Sequence, residues 1–168
     1  LIEKTNWVKD HVQRIGGFGI EPFNTLPSPK VEEYRNKAIY QAGKDEKGNP
    51  VFGFYRKKSH DVMDCKNCKL QPKEFEHILS AVAFFVKQNK ISIYDEKSHT
   101  GLLRAVYIRK AEVTEEVGVC LVLNGDKLPQ EKLFVSLLST QFKNIVSIVL
   151  NTNKDRTNVV LGKKSKTI

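Results

Sequence analysis

Two of the three cysteines, Cys65 and Cys68, stand in a C-x-x-C spacing within the segment HDVMDCKNCKLQP. This spacing is used by metal sites and by dithiol redox centres. A zinc site needs four ligands, and the nearby His60 and His77 do not stand at the common finger spacing. A thioredoxin-type pair should open a helix, whereas the next predicted helix starts at Pro72. The remaining interpretation is that one of these cysteines completes a site whose other ligands lie outside the chain.

The other residues that could do chemistry do not form a recognisable active site. The four histidines are not grouped with a serine or cysteine in a nucleophile motif. Gly16, Gly17 and Gly19 follow a predicted helix and not a strand, which argues against a nucleotide-binding fingerprint. Cys120 lies in the apolar run VGVCLVLNG, where a free cysteine acts as a small hydrophobic side chain. We therefore predict no catalytic residue in this chain.

The charge of the chain indicates a polyanionic partner. Its 168 residues include 28 Lys and Arg against 19 Asp and Glu, a net charge of +9. Such a balance suits nucleic acid, and the alternative is a basic domain whose lysines are evenly scattered. Three cysteines are too few for a disulfide framework, which favours a reducing compartment. With no apolar run long enough for a membrane span and no signal sequence, we expect a cytoplasmic protein or a piece of one.

The apolar periodicity predicts an α+β fold. Helical spacing runs through LIEKTNWVKDHVQRIGG, KEFEHILSAVAFFVKQNK and PQEKLFVSLLSTQF, and FGIEPFNTLPSPKVEE between the first helix and the strands is an extended connector. YRNKAIYQAG and VFGFYRKKS flank the turn sequence KDEKGNP and predict a hairpin. Four later β-branched runs predict strands. We expect one domain, 1–168, with an antiparallel β-sheet and helices packed on one side, in the order α-ββ-α-ββ-α-ββ. The basic run GKKSKTI without a closing element suggests a fragment.

Four segments resemble, in order and spacing, the central region of the bacterial 23S ribosomal RNA (uracil-5-)-methyltransferases. They are YRNKAIY, FGFYRKKSHDVMDCKNCKLQP, TGLLRAVYIRKAEVTEEVGVCLVLNG and NIVSIVLNTNKDRTNVVLGKKSKTI. The resemblance implies that two further domains are absent: an N-terminal oligonucleotide-binding barrel, and a C-terminal domain with S-adenosylmethionine, the catalytic cysteine and a glutamate base. In the whole enzyme it implies attack of that cysteine on C6 of uracil, methyl transfer to C5 and proton removal by a base.

The resemblance also implies a [4Fe-4S] cluster, which some members of the family carry. Three of its cysteines come from a segment before the first helix, and the fourth comes from a D-V-x-x-C type position after the hairpin. We assign that fourth ligand to Cys68, in VMDCKNC, and treat Cys65 as incidental, although Cys65 could substitute in an incomplete site. Thiolates are the usual ligands of such clusters. In this chain alone we expect neither the cluster nor S-adenosylmethionine.

The resemblance further assigns RNA binding to the basic hairpin. An enzyme that modifies a base in folded RNA must hold phosphates and expose the target base. The candidate RNA-binding residues are Tyr34, Arg35, Asn36, Lys37, Arg56, Lys57, Lys58, Arg104 and Arg109. The alternative for these residues is a solvated strand face. The expected partner is ribosomal RNA, with no membrane and no protein partner implied, and the alternative function is a stand-alone basic RNA-binding module without enzymatic activity.

Overall fold

In the computed structural model, which describes residues 1–168, the chain divides into two units, Leu1–Val31 and Glu32–Ile168. Helix α1 (Ile2–Arg14) lies in the first unit, buries no side chain and ends just before Gly16 and Gly17, as predicted. Residues 18–31 form neither helix nor strand, which agrees with the predicted extended connector. None of the three helices combines the length and the apolar character that crossing a bilayer requires.

The second unit contains one sheet of seven strands and two helices. In chain order its elements are β1 (Lys37–Lys44), β2 (Pro50–Tyr55), β3 (Val62–Asp64), α2 (Lys73–Gln88), β4 (Leu103–Lys110), β5 (Val117–Leu123), α3 (Glu131–Gln141), β6 (Ile145–Thr152) and β7 (Lys164–Thr167). Across the sheet the strands follow the order β3-β2-β1-β4-β5-β6-β7. The α+β class is therefore confirmed, and the element order is α-βββ-α-ββ-α-ββ.

The short strand β3 was absent from the predicted order. Its three residues carry no alternating pattern long enough to indicate a strand. It pairs with the end of β2, where Phe54 stands opposite Met63. Gly53 permits this approach, because a Cβ atom at that position would lie 1.7 Å from the carbonyl oxygen of Met63. The close approach of the third strand thus depends on a glycine in its neighbour.

The sheet is mostly antiparallel, and it departs from the predicted antiparallel sheet at one pair of strands. All neighbours are antiparallel except β5 and β6, which run parallel. Helix α3 lies between these two strands in the chain and returns it in the same direction, as parallel neighbours require. The apolar pattern of a strand carries no information about its direction, so this pairing was not visible in the sequence.

One face of the sheet packs against α2 and α3 and forms the core. The rings of Phe85 in α2 and Phe134 in α3 lie 4.9 Å apart, and both side chains are buried. Alternate residues of the central strands complete the core: Tyr40, Val106, Ile108, Val119, Leu121, Ile148 and Leu150. Helices α2 and α3 therefore pack on one side of the sheet, which is the arrangement predicted for helices in this fold class. On the opposite face, which we call the open face, many side chains stay half-buried or exposed.

Candidate nucleic-acid interface

The structure brings eight of the nine predicted RNA-binding residues to one end of the sheet. Strand β1 begins at Lys37, which stands opposite Arg109 near the end of β4. Strand β2 runs antiparallel to β1, so the turn after β2, with Arg56, Lys57 and Lys58, lies at this same end. Residues 34–36 lead directly into β1. We call this region the basic end of the sheet.

Backbone hydrogen bonds hold the two irregular segments of the basic end in place. The N–H of Arg35 donates to the carbonyl of Leu70 at 2.9 Å, and the carbonyl of Asn36 accepts from Lys110 at 2.8 Å. In the turn after β2, the N–H of Arg56 donates to the carbonyl of Asp61 at 2.9 Å. The side chains of both segments can therefore extend into solvent from a fixed backbone.

The cations of the basic end are exposed and have no acidic partner within ion-pair distance. They are Arg35, Lys37, Arg56, Lys57, Lys58 and Arg109. Several other lysines of the chain are paired, for example Lys66 with Asp64 at 2.8 Å and Lys69 with Glu32 at 2.7 Å. The six unpaired cations can contact phosphates without breaking an existing ion pair, and such contacts release counterions from nucleic acid.

Two tyrosines that the sequence reasoning missed lie on the open face beside these cations. Tyr107 lies two residues before Arg109 in β4, and Tyr55 is the last residue of β2. The ring of Tyr55 packs 5.1 Å from His60, and burial, followed by the nearby Glu96, raises the pKa of Tyr55. Tyr55 is exposed and Tyr107 is half-buried. Aromatic rings that are accessible beside cations are typical of surfaces that stack unpaired RNA bases. Because side chains alternate between the two faces of a strand, the positions of Tyr55 in β2 and Tyr107 in β4 were the sequence signal that could have identified both tyrosines.

Arg104 differs from the other predicted residues, because its guanidinium is used inside the protein. It lies 4.4 Å from the centre of the Tyr94 ring. One of its nitrogens donates to the carbonyls of Asn153 and Asp155, at 2.9 and 2.8 Å. These contacts hold the segment that follows β6, at the opposite end of β4 from Arg109. We do not include Arg104 in the basic end.

Cys65 and Cys68 lie next to each other on the helix side of the sheet, where Cys65 packs against the core. Asn67 takes a left-handed conformation (φ 55°), which asparagine tolerates, and closes the turn between them. Glu76 of α2 accepts from the N–H of Asn67 at 3.1 Å and ties the turn to the helix. Burial, followed by the neighbouring Cys68 thiol, raises the pKa of Cys65 to about 12.

The two cysteines do not by themselves supply enough ligands for an iron–sulfur cluster. A [4Fe-4S] cluster takes four thiolates, and the chain contains no group of three or more His, Cys, Asp or Glu side chains placed to bind a metal. Counted from Asp61 and Val62, the D-V-x-x-C spacing falls on Cys65 and not on Cys68. Spacing therefore does not support our preference for Cys68, and either thiol could be the ligand.

The third cysteine, Cys120, lies on the open face in β5, opposite Tyr107. Burial raises the pKa of its thiol to about 11, so the thiol stays protonated at neutral pH. Its sulfur lies 3.9 Å from the carbonyl oxygen of Leu121. A protonated, half-buried thiol is a poor nucleophile, which is in keeping with the structural role expected from its apolar surroundings.

The chain is similar to RNA methyltransferases. No protein-family model matches it. It is 37% identical over 162 residues to an uncharacterized RNA methyltransferase of Clostridium tetani, covering 96% of this chain and 35% of the relative. A corresponding protein of Staphylococcus epidermidis is 36% identical over 135 residues, covering 80% of this chain and 30% of the relative. The chain is therefore a partial homologue of RNA methyltransferases and spans about a third of the length of these curated relatives.

The fold agrees with a more particular relative among solved structures. The tRNA (uracil-54, C5)-methyltransferase of Pyrococcus abyssi, solved in complex with S-adenosyl-L-homocysteine, matches with a TM-score of 0.71 and 25% identity. The match covers 98% of this chain and 38% of that protein. Together these comparisons confirm the resemblance to part of an RNA (uracil-5-)-methyltransferase. The choice of 23S ribosomal RNA as the substrate stays a prediction.

Proposed function

We propose that this chain is the RNA-holding central part of a cytoplasmic RNA (uracil-5-)-methyltransferase, and that it is inactive alone. The observation that carries the proposal is the basic end, where six exposed and unpaired cations meet at one end of the sheet beside Tyr55 and Tyr107. The similarity to RNA methyltransferases over almost the whole chain supports it. If these residues formed only a solvated strand face, there would be no reason for cations from three separate segments to meet at one place.

The residues of this chain bind and orient the RNA. The cations of the basic end hold phosphates, and the rings of Tyr55 and Tyr107 offer surfaces on which unpaired bases stack. Holding a strand in this way presents one uracil to the reacting groups, which lie in other parts of the whole protein. S-adenosylmethionine, when bound there, supplies the methyl group.

We propose 23S ribosomal RNA as the substrate, following the resemblance of the four sequence segments. Because the solved relative is named for a tRNA reaction, the test compares both RNAs. The whole protein that contains this chain is incubated with radiolabelled S-adenosylmethionine and with transcripts of 23S ribosomal RNA or tRNA. We expect label in 5-methyluridine of the ribosomal transcript. Label in tRNA alone would change the substrate, and label in neither would refute the proposed reaction.

The chain on its own should bind RNA but neither transfer a methyl group nor bind the cofactor. We expect salt-sensitive binding of single-stranded RNA, no methyl transfer and no stoichiometric binding of S-adenosylmethionine in calorimetry. Cofactor binding by the chain alone would contradict the proposal that S-adenosylmethionine binds to another part of the whole protein. A stand-alone RNA-binding module would give the same binding results. It differs in that its coding sequence would not continue into a cofactor-binding domain.

We also propose that the cysteine pair supplies one ligand to a [4Fe-4S] cluster in the whole protein, with Cys68 as the ligand. Purified without oxygen, the Cys68→Ala protein should then lose its iron and its brown absorbance, and Cys65→Ala should retain both. The opposite result would assign the ligand to Cys65, in agreement with the D-V-x-x-C spacing. Full iron content in both variants would remove the cluster role from this pair.

A further inference from the structure

Residues 154–163, which lie between β6 and β7, contain no helix or strand, but their backbone is hydrogen-bonded at several points to surrounding side chains. We call this segment the β6–β7 loop. Four side chains from the sheet and its edges donate hydrogen bonds to its backbone carbonyls and to those on either side of it. They are His99, Arg104, Asn151 and Asn153.

The two asparagines hold the second half of the loop from the end of β6. The amide nitrogen of Asn151 donates to the carbonyl of Gly162 at 3.0 Å, and its oxygen accepts from the N–H of Gly162 at 2.7 Å. The amide nitrogen of Asn153 donates to the carbonyls of Val159 and Val160, at 2.7 and 2.9 Å. Both asparagines are buried, at 3% and 2% exposure.

Arg104 and His99 hold the first half. Besides its contacts with Asn153 and Asp155, Arg104 reaches the carbonyl of Thr157 at 3.4 Å. The Nε2 atom of His99 lies 3.1 Å from the carbonyl oxygen of Lys154. A carbonyl can only accept, so Nε2 carries a proton, and in the neutral ring Nδ1 accepts from the hydroxyl of Tyr94 at 2.7 Å.

This bonding turns the backbone of the loop inward and its side chains outward. Arg156, Asn158 and Val159 are exposed, and Arg156 has no acidic partner. Gly162 lets the loop press on β6, because a Cβ atom there would lie 1.8 Å from the carbonyl oxygen of Thr152. The loop therefore presents polar and apolar side chains to solvent from a backbone that hydrogen bonds hold at several points.

Most of the buried polar side chains of the protein hold this loop. Only three polar side chains are buried, Gln71, Asn151 and Asn153, and two of them hold this loop. A buried amide costs free energy unless it is hydrogen-bonded, and the amides of Asn151 and Asn153 meet this requirement through the backbone of the loop. Side chains locked by a supporting shell in this way are what precise recognition requires.

We propose that the β6–β7 loop is a second RNA contact, in which Arg156 and Asn158 read unpaired bases while Arg104 and Asn153 position them. The proposal rests on the proposed function and names the part of the chain that discriminates between RNA sequences. A guanidinium and an amide each offer two hydrogen-bonding groups that match the edges of bases. Arg104 and Arg109 lie five residues apart on β4, or about 17 Å. A strand of several nucleotides would therefore span the loop and the basic end.

The experiment selects RNA from a pool of randomised single strands of about ten nucleotides. We expect the chain to enrich a sequence motif. The double variant Arg156→Ala/Asn158→Ala should bind the pool within about threefold of the original affinity but lose the motif, since base contacts contribute to discrimination more than to the salt-dependent affinity. Lys132→Ala, an exposed cation on α3, is the charge-matched control and should keep the motif.

Positioning by Arg104 is tested with Arg104→Lys, which keeps the charge but replaces the planar guanidinium, whose two terminal nitrogens donate to three carbonyls, with a single ammonium group. We expect loss of the motif together with faster hydrogen exchange at the N–H groups of Asp155 and Gly162. If this variant unfolds, the double variant on the exposed loop still decides the question. A motif retained by the double variant, or RNA binding without any motif in the original chain, would overturn the inference alone. No RNA binding at all would overturn the proposed function and this inference with it.

Discussion

Four cations of the basic end can be removed without touching the core. The variant carries Ala at Arg35, Lys37, Arg56 and Lys58, all exposed and without acidic partners. If all four contact phosphates of a single strand, each contributes about 0.7 to the slope of log K against log salt, so the slope should fall by about 2.8. Between about 50 mM and about 200 mM salt, the original chain should then lose about 50-fold more affinity than the variant.

A matched control separates contacts from net charge. Replacing Lys9, Lys66, Lys69 and Lys166 with Ala removes the same four positive charges from a total of +9. Each of these lysines already pairs with an acidic side chain: Glu21, Asp64, Glu32 and Glu131. We expect this control to change the slope by less than about 1, because paired, scattered lysines do not form a phosphate site.

The assay is fluorescence anisotropy with a labelled single-stranded RNA, measured at several salt concentrations for all three proteins. Circular dichroism at rising temperature checks that both variants stay folded. Equal slopes for the two variants would show that net charge, and not the basic end, drives binding. An affinity of the original chain that does not depend on salt would refute the reasoning altogether.

Three further predictions concern the fold. Phe134→Ala should lower the free energy of unfolding by about 3 to 5 kcal/mol, because Phe134 is fully buried against Phe85; in denaturant melts, Leu133→Ala, exposed on the same helix, should cost less than about 1 kcal/mol. Gly53→Ala should detach β3 and speed hydrogen exchange at the N–H of Cys65, which donates to Phe52, whereas Gly118→Ala meets no atom within 4 Å and should change little. The thiol of Cys120 has a pKa of about 11 when folded and about 8.5 when unfolded. Between these two pKa values the thiol of Cys120 stays protonated in the folded chain but loses its proton in the unfolded chain. Its contribution to the free energy of unfolding is therefore complete below about pH 8.5 and decreases as the pH rises toward about 11. In the Cys120→Ala variant, thermal melts across this pH range should no longer show this decrease in stability.

Local sequence patterns predicted most of the elements but not the assembly of the site. Helix α2 was visible because its apolar residues recur with helical spacing and bury one face. The pairing of Lys37 with Arg109, 72 residues later in the chain, depends on which strands become neighbours, and no local pattern encodes that. Arg104 and Arg109 look alike in the sequence. They differ in the structure, because Arg104 donates hydrogen bonds to backbone carbonyls at the end of β6 and in the β6–β7 loop, whereas Arg109 is exposed. A shift of register lies beside Arg104, between Leu103 and Ala105.

The parallel pairing of β5 with β6 also bears on how the second unit folds. Hairpins such as β1 with β2 join neighbouring residues and form within about 1 to 10 μs. Strands β5 and β6 are separated in the chain by α3, so they can pair only when the intervening segment returns, and non-local pairings of this kind slow folding. Until then the segment VGVCLVL presents an apolar edge with unpaired backbone groups, which is the kind of edge that pairs with other chains. Refolding at high protein concentration should therefore lose material to aggregates built through β5, and dilution should restore the yield.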